Sequence, residues 1–393
     1  MPKPRRVAVM LDLDWPYKRH TGVFAGAQQY AQERGWYSII DEYVDDTLAR
    51  GRRTSPPYDG VIARATTKLA VLAKRLKVPV VNVWFSSPAS KLLPGVFPDY
   101  RAIGSMRAEH LLSRGFRRFA ALTSWQHGHN IELDGFCETL GAAGYPVAVG
   151  KLPLHANSLR NWRKMEQAIT ASMEKWILPI GVYAGAERDG RLLAQMCRNR
   201  GWSVPGDVAI IAGNNEETFC EGLRPTLSSV EFGYERIGYE AAKLLERLMD
   251  GEAPPKEPKL LQPVGIVARE STDFLAVEDE LIAEALRFIA EKCHKPMGPD
   301  DVARAVSTEK RTLQRRFEKY LNRPIASEIR RVRIERAKRE LTQSERSLSE
   351  IARDVGFGEA MRMYEIFRRE LGVTPSQYRR ERRVDMRAAE DMK

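Results

Sequence analysis

The spacing of hydrophobic residues along this chain changes near residue 275. Before that point, short apolar runs of strand length alternate with longer segments whose apolar residues recur at helical spacing. Such alternation predicts doubly wound parallel sheets covered by helices, an α/β fold. The predicted strands are Arg6–Leu13, Trp36–Val44, Gly60–Ala65, Val78–Phe85, Arg118–Thr123, Ile180–Ala184 and Val208–Ala212. The predicted helices are Gly22–Arg34, Lys68–Leu76, Ala102–Ser113, Ile131–Ala143, Arg188–Arg200 and Tyr234–Leu248.

After residue 275 only helical spacing is found, and one segment predicts two short helices joined by a sharp turn. Ser347 and Glu350 have the spacing of a capping box, which starts a helix. Gly356 permits the left-handed backbone that ends this helix and turns the chain. A second helix follows over Glu359–Glu370. The residues expected to face inward from it are Met363, Ile366, Phe367 and Leu371.

An earlier copy of this helix-turn-helix pattern lies upstream. Asp300–Val306 predicts its first helix, Ser307 and Thr308 form the turn, and Lys310–Leu321 predicts its second helix. The residues expected to face inward from that second helix are Leu313, Phe317, Tyr320 and Leu321. A long helix over Ile325–Leu341 joins the two units. Its apolar side is predicted to consist of Ile325, Ile329, Val332, Ile334, Ala337 and Leu341.

Charge adds a function to this all-α, tandem helix-turn-helix pattern. The chain has a net charge of +11, and residues 296–383 hold 22 Lys and Arg against 14 Asp and Glu. A basic surface on such units is expected to bind DNA phosphates, with one helix of each unit in the major groove. The outward residues predicted to contact DNA are Lys310, Arg311, Gln314, Arg315, Ala360, Met361, Arg362 and Glu365.

Cysteine usage and hydropathy indicate the compartment. The four cysteines are scattered without metal-ligand or disulfide-framework spacing, which predicts a reducing cytoplasm. No run of about 20 apolar residues occurs, so no membrane-spanning segment is predicted. The apolar stretch after the basic start is interrupted at Asp12 and Asp14, which favours a first strand over a signal peptide.

The helical region resembles the DNA-binding domain of the AraC/XylS family. The segments that carry this resemblance are Arg333–Lys338, Ile351–Phe357, Phe367–Arg369 and Gly372–Arg379. It spans about residues 279–380 and implies a sequence-specific transcription regulator that binds a double-stranded DNA operator. Met361–Glu365 departs from the residues usual in this family, so the operator sequence is not implied.

The first part of the chain resembles the sugar-sensing domains of LacI-type regulators. The segments that carry this resemblance are Asp59–Ile62, Val78–Val81, Arg114–Ala120, Gly201–Ala212, Leu227–Val230 and Ile237–Leu245. Such domains are related to periplasmic binding proteins, which implies two doubly wound lobes with the ligand in the cleft. We therefore predict a two-lobed, periplasmic-binding-protein-like domain over residues 1–275, a DNA-binding domain over 276–393, and a linker at Ser271–Asp279.

The two resemblances together imply how the chain acts. They predict a homodimeric activator of a sugar-utilisation operon, controlled by a small sugar, with a pentose as the first candidate. RNA polymerase is a further expected partner.

Polar side chains near strand ends are candidate sugar ligands, because each sugar hydroxyl both donates and accepts a hydrogen bond. The candidates are Asp12, Arg64, Asp99, Trp125, Glu132, Glu187 and Asn214. Three of them depart from the sensing family. Glu132 stands where arginine is usual, Glu187 stands where aspartate is usual, and Asn214 replaces an acidic residue. The resemblance therefore implies the cleft but leaves the sugar open.

Three interpretations of function are compatible with the sequence. A ligand-responsive transcription regulator accounts for both parts. A sugar-handling enzyme with a DNA-binding tail fits the fold, but no nucleophile–base arrangement is present, so no catalytic residue and no cofactor are predicted. A ligand-independent nucleoid protein, or a regulator that does not respond to sugars, would have a first domain that is vestigial or that only dimerises. His127 and His129 could bind a metal, but such a loop pair is more often incidental, and no metal is predicted.

Overall fold

The structure is a computed structural model that describes residues 4–14, 17–50, 56–124, 127–153, 158–273, 279–321, 323–344 and 346–380. The chain divides into two compact units, Met1–Phe274 and Leu275–Lys393. Along the described parts of the chain, no helix combines the length and the apolar character that crossing a membrane would require.

The first unit contains two four-stranded parallel sheets. Its strands are β1 (Arg6–Met10), β2 (Tyr37–Ile40), β3 (Gly60–Ala63), β4 (Val80–Asn82), β5 (Val96–Pro98), β6 (Phe119–Ser124), β7 (Val147–Leu152), β8 (Ile180–Ala184), β9 (Val208–Ala212), β10 (Ser229–Glu231), β11 (Lys259–Leu261) and β12 (Gly265–Val267). One sheet has the order β2-β1-β3-β4 and the other the order β7-β6-β8-β9. These sheets define lobe 1 and lobe 2. In each, the strand order reverses once, at β1/β3 and at β6/β8, and ligands of such sheets bind beyond the carboxyl ends there.

Helices cover both sheets. They are α1 (Lys18–Glu33), α2 (Val44–Arg50), α3 (Thr67–Leu76), α4 (Tyr100–Ser113), α5 (His127–Ala142), α6 (Leu159–Met173), α7 (Glu187–Asn199), α8 (Glu217–Glu221) and α9 (Tyr234–Met249). In lobe 2, α4 and α5 cross at two glycines. A Cβ on Gly104 would lie 1.9 Å from the carbonyl oxygen of Glu132, and a Cβ on Gly135 would lie 2.2 Å from that of Arg101. Only glycine permits this approach, which brings the side chains one turn away on the two helices together.

The two-lobed α/β fold is as predicted, but some elements differ. The predicted strand Trp36–Val44 was wrong beyond Ile40, because Val44 and Leu48 turn inward as the buried face of α2. The sequence analysis missed β7 and α6 altogether. β7 is an edge strand whose side chains are largely exposed, so it lacks the apolar run on which a strand prediction depends.

The second unit is all helical, as predicted. Its helices are α10 (Glu280–Lys292), α11 (Pro299–Ala305), α12 (Lys310–Leu321), α13 (Ile325–Gln343), α14 (Leu348–Asp354) and α15 (Ala360–Leu371). Residues 375–380 are helical as well. The capping box that starts α14 is confirmed: the Glu350 backbone N–H donates to Ser347 Oγ (3.2 Å), and the Ser347 N–H donates to Glu350 Oε2 (2.9 Å). Gly356 has the expected left-handed backbone, with φ of +93°.

Two further predictions about this region need correction. Tyr320 does not face inward; it is 42% exposed, because α12 buries only the row that contains Leu313 and Phe317. The predicted linker begins too early, since Ser271 and Thr272 are fully buried in the first unit. The Ser271 hydroxyl donates to the Ile210 carbonyl on β9, which fastens this segment to lobe 2.

Candidate ligand cleft and nucleic-acid interface

The carboxyl ends of β1 and β9 lie opposite each other and define a cleft between the two lobes. Across it, the Glu216 carboxylate accepts hydrogen bonds from the backbone N–H of Lys18 at 3.0 and 3.3 Å. The rings of Tyr17 and Phe219 stack, with 6.5 Å between their centroids. Lobe 1 therefore meets lobe 2 directly beyond the switch points of the two sheets.

Lobe 1 contributes basic side chains to this cleft. The Arg64 guanidinium lies 4.1 Å from the centre of the Trp84 ring, and it has no hydrogen-bond partner within the described residues. His20 Nδ1 donates to the Asp12 carbonyl oxygen at 2.6 Å. Burial lowers the pKa of His20, and Arg19 and Arg64 lower it further. Residues after β1, β3 and β4 and at the start of α1 thus form one cluster in lobe 1.

Arg19 extends this cluster towards lobe 2. Its guanidinium lies 5.8 Å from the centre of the ring of Tyr234, the first residue of α9, which packs against α1 in lobe 1. Interaction with Tyr234 raises the pKa of Arg19, burial opposes the rise, and Tyr100 and Glu132 add to it. The positive charge of Arg19 is therefore stabilised both by Tyr234 and by groups of lobe 2. Arg19 was not predicted as a ligand residue because it lies on α1, six residues beyond the end of the predicted first strand.

The Glu132 side chain forms a buried ion pair in lobe 2. Its Oε2 forms an ion pair with Arg107 Nη2 at 3.1 Å and accepts a hydrogen bond from the Tyr183 hydroxyl at 2.9 Å. The Arg107 and Glu132 side chains are 0% and 2% exposed. Arg107 Nη2 also donates to the Gly213 carbonyl at 2.7 Å. Within the described residues, Oε1 of Glu132 has no partner. One oxygen of the Glu132 carboxylate is therefore bound within the protein, and only the other oxygen could accept a hydrogen bond from a ligand.

Glu187 and Asn214 lie together at the end of β9. Glu187 Oε1 accepts from the backbone N–H of Asn214 at 2.6 Å and of Glu216 at 3.1 Å. The Asn214 side-chain amide donates to the Tyr234 hydroxyl at 2.7 Å. Burial and then the neighbouring charge of Glu187 raise the pKa of Glu216 to about 7. Glu216, like Tyr234, was not singled out from the sequence.

The predicted ligand residue Asp99 is engaged elsewhere. Asp99 caps α4: its Oδ1 accepts from the Ala102 N–H at 3.0 Å, and its Oδ2 accepts from the Gln262 amide at 2.8 Å. Both carboxylate oxygens are thus engaged within the protein, because the residue starts a helix. Trp125 lies outside the described residues. The structure brings Asp12, Arg64, Glu132, Glu187 and Asn214 to the cleft.

The histidine pair does not extend into a metal centre in the described part of the chain. There, no group of three or more His, Cys, Asp or Glu side chains could hold a metal ion. His129 Nδ1 instead lies 3.3 Å from the Ser124 hydroxyl at the end of β6.

In the second unit, α12 presents an exposed basic face. Lys310, Arg311 and Arg315 are exposed, and Lys310 Nζ lies 2.9 Å from Asp300 Oδ2. Gln314 was predicted to face outward, but its amide is used within the protein. Its Nε2 donates to Glu318 at 2.8 Å and its Oε1 accepts from the Ile325 N–H at 3.4 Å, at the start of α13.

The exposed face of α15 has a different chemistry. Met361 is 66% exposed, Arg362 and Glu365 are exposed, and Ala360 is half-buried. The opposite face packs into the core through Met363, Ile366 and Phe367, as predicted. Tyr364 is 38% exposed on the outer side as well. The outer surface of α15 therefore combines one apolar, one basic and one acidic side chain at its centre.

Comparison with known proteins agrees with both parts of this description. Residues 108–272 match the periplasmic binding protein-like domain, and residues 302–381 match a helix-turn-helix domain. The xylose operon regulatory protein of Haemophilus influenzae is 28% identical over 387 residues, covering 95% of this chain and 98% of that protein. The regulatory protein SoxS of Salmonella typhimurium is 33% identical over 100 residues, covering 25% of this chain and 94% of that protein.

A solved structure shares the whole architecture. The xylose-binding transcription activator XylR matches with a TM-score of 0.70 and 24% identity, over 96% of this chain and 98% of that one. The Haemophilus influenzae relative and the solved XylR structure are both named as transcription regulators, not as enzymes. Over nearly its whole length the chain is therefore similar to xylose operon regulatory proteins, and in it a periplasmic binding protein-like domain precedes a helix-turn-helix domain.

Proposed function

We propose that this regulator is an activator whose DNA binding is controlled by a small sugar in the cleft of the first unit. The observation that carries this proposal is the position of Arg19: it lies over the ring of Tyr234, whose hydroxyl accepts from the Asn214 amide of lobe 2, and it interacts electrostatically with Glu132 of lobe 2. A sugar hydroxyl needs both a donor and an acceptor, and the cleft offers both within one cluster. The name of the Haemophilus influenzae relative makes xylose the first pentose to test.

We assign the ligand contacts residue by residue. Arg19, Arg64 and the Asn214 amide supply donors. Asp12 and the free Oε1 of Glu132 supply acceptors. Glu187 supports the loop that carries Asn214, and the predicted ring of Trp125 would stack on the sugar. Asp99 is withdrawn from this set, because its two oxygens cap α4 and bind Gln262.

For the second unit we propose that α12 and α15 enter the major groove of an operator. Lys310, Arg311 and Arg315 would bind phosphates and guanine edges from α12. From α15, the base contacts would come from Met361, Arg362 and Glu365, flanked by Ala360. Met361 suits a thymine methyl group, Arg362 suits guanine, and Glu365 suits the amino group of cytosine. We further propose a cytoplasmic homodimer that binds two half-sites and acts on RNA polymerase.

Calorimetry with and without operator DNA tests the sugar switch. If the sugar changes DNA affinity by some factor, the operator must change sugar affinity by the same factor. Arg64→Leu should weaken sugar binding at least about tenfold, as expected for a lost charged hydrogen bond. Arg75→Leu, an exposed arginine near the end of α3, is the matched control.

The alternative outcome has a defined meaning. Titrations of xylose and other pentoses and hexoses that give no heat at millimolar concentration would favour a ligand-independent regulator. Equal sugar affinities with and without the operator would show that the sugar does not control DNA binding, even if a sugar binds.

A further inference from the structure

The two helix-turn-helix units share α13, and one buried arginine lies where their cores meet. The first half of the apolar side of α13 includes Ile329 and Val332, which are buried on the side of the first helix-turn-helix, where α13 also contacts α10. The second half includes Ile334 and Ala337, which belong to the core formed with α14 and α15. Arg333 separates the two halves and is only 7% exposed.

The guanidinium of Arg333 binds the carboxyl end of α10. Its Nε donates to the Cys293 carbonyl at 2.8 Å, and its Nη2 donates to the Lys295 carbonyl at 3.0 Å. A helix end leaves such carbonyls without helical partners, and a cation is favourable there. Burial lowers the pKa of Arg333, and the charge of Arg362 on α15 lowers it further.

The turn of the second helix-turn-helix unit completes this junction. A Cβ on Gly356 would lie 2.1 Å from the Cys293 carbonyl oxygen and 2.8 Å from Arg333 Nε. The backbone of the turn therefore rests on the same carbonyl that Arg333 binds. Cys293 at the end of α10, Arg333 on α13 and Gly356 in the turn of the second helix-turn-helix meet at one point.

We infer that this junction fixes the separation and the angle between α12 and α15, and thereby sets the number of base pairs that the operator must hold between its two halves. The inference rests on the proposed DNA binding by both helices. One extra base pair moves the second half-site by about 3.4 Å and rotates it by about 35° around the duplex. A locked junction cannot follow that displacement, whereas a loosened one can. Arg333 is thus a positioning residue for specificity.

The experiment uses the full chain and an operator selected by it from random duplexes. Affinity is measured for the selected spacing and for spacings one base pair shorter and longer. The unaltered chain should lose about tenfold or more at either wrong spacing, comparable to a mismatched base pair. Arg333→Ala should reduce this ratio to about threefold or less, because the two units can then adjust. Arg336→Ala is the matched control, since Arg336 also binds a carbonyl of α10, that of Ala290, without contacting Gly356.

The outcomes separate three cases. If Arg333→Ala lowers the DNA affinity by the same factor at all spacings, the inference is overturned, because the loss of a merely stabilising residue would have that effect. If circular dichroism shows that Arg333→Ala loses helicity, Arg333→Lys is tested instead, because lysine keeps the charge but cannot bind both carbonyls as the guanidinium does. If Arg333→Lys leaves the ratio of affinities at right and wrong spacings unchanged, the inference is overturned. If the unaltered chain selects no two-part sequence at all, the proposed DNA binding by both helices fails instead.

Discussion

Arg107 on α4 and Glu132 on α5 form an ion pair of 3.1 Å in the interior of lobe 2. The same two helices carry a second pair, Arg101 with Glu138, on the protein surface, where both side chains are more than half exposed. One helix crossing thus offers two ion pairs of the same chemistry in opposite environments, and their comparison isolates the effect of burial.

Replacement of Arg107 by methionine should destabilise the chain strongly. It would leave the Glu132 carboxylate buried with only the Tyr183 hydroxyl as a partner, and removal of one member of a buried pair costs about 3–5 kcal/mol. Equilibrium urea unfolding of lobe 2 measures this loss. Arg101→Met, the matched control, should cause a much smaller change, because solvent screens the exposed pair. Equal losses in the two variants would show that burial is not the cause.

Stability near Glu216 should depend on pH in a particular direction. Its pKa in the folded chain is raised to about 7 from an ordinary 4.5, so between these values the folded chain binds the proton more tightly than the unfolded chain. Stability from this group therefore falls as pH rises from about 4.5 to 7. Glu216→Gln keeps an acceptor for the Lys18 N–H but cannot ionise, and it should abolish the fall.

The measurement is the difference in unfolding free energy between parent and variant across this window. The difference is needed because His20 and His110, whose pKa values are lowered, change stability in the opposite direction. Glu217→Gln, at an exposed neighbour, is the control. A difference that stays constant from pH 4.5 to 7 would contradict the prediction.

Arg315→Ala should lower DNA specificity as well as affinity. A bidentate arginine–guanine contact contributes about 1–3 kcal/mol of discrimination, so the variant should distinguish single-base changes in the operator less well. Fluorescence anisotropy with the operator and its single-base variants measures this. Arg304→Ala on α11 is an exposed arginine outside α12 and serves as the control. Uniform weakening on all sequences would identify Arg315 as a phosphate contact.

Gln314→Ala should behave differently from Arg315→Ala. The Gln314 carbonyl oxygen accepts from the first N–H of α13, so its loss removes a helix cap rather than a contact to a base. Removal of a cap costs about 0.5–2 kcal/mol of stability. Thermal unfolding should register this loss while base preference stays unchanged. A change in preference at a single operator position would show that the amide leaves α13 to bind DNA.

DNA affinity should depend steeply on salt, because phosphate binding releases counterions from the duplex. With about six phosphate contacts, affinity should fall by about 10³-fold between 50 and 200 mM salt. Anisotropy titrations across this range give the slope. An affinity that is independent of salt would mean that the basic face of α12 points away from the duplex.

The sequence predicts those features that local spacing determines. Ser347 and Glu350 cap α14 because the capping box acts within one turn, and Gly356 turns the chain because no other residue adopts its backbone so readily. The long helix α13 buries every apolar residue predicted on it, from Ile325 to Leu341. In α6, Met165, Ile169 and Met173 repeat at helical spacing, a signal that could have identified this missed helix.

Features created by distant contacts could not be predicted in this way. Glu132 was identified as a polar residue near a strand end, but Arg107 meets it only because α4 and α5 cross at Gly104 and Gly135. Asp99 has the composition of a ligand residue and acts as a cap. Neither arrangement could be predicted, because a carboxylate in the sequence carries no information about which group will bind its oxygens.

The sharing of α13 also determines how the DNA-binding unit can unfold and evolve. Each core uses about half of this helix, Ile325 to Val332 for one and Ile334 to Leu341 for the other. If the core around one half melts, that half exposes its apolar row to water, and the other half of this helix of 19 residues loses its continuation. We therefore expect the two helix-turn-helix units to unfold together in one cooperative step.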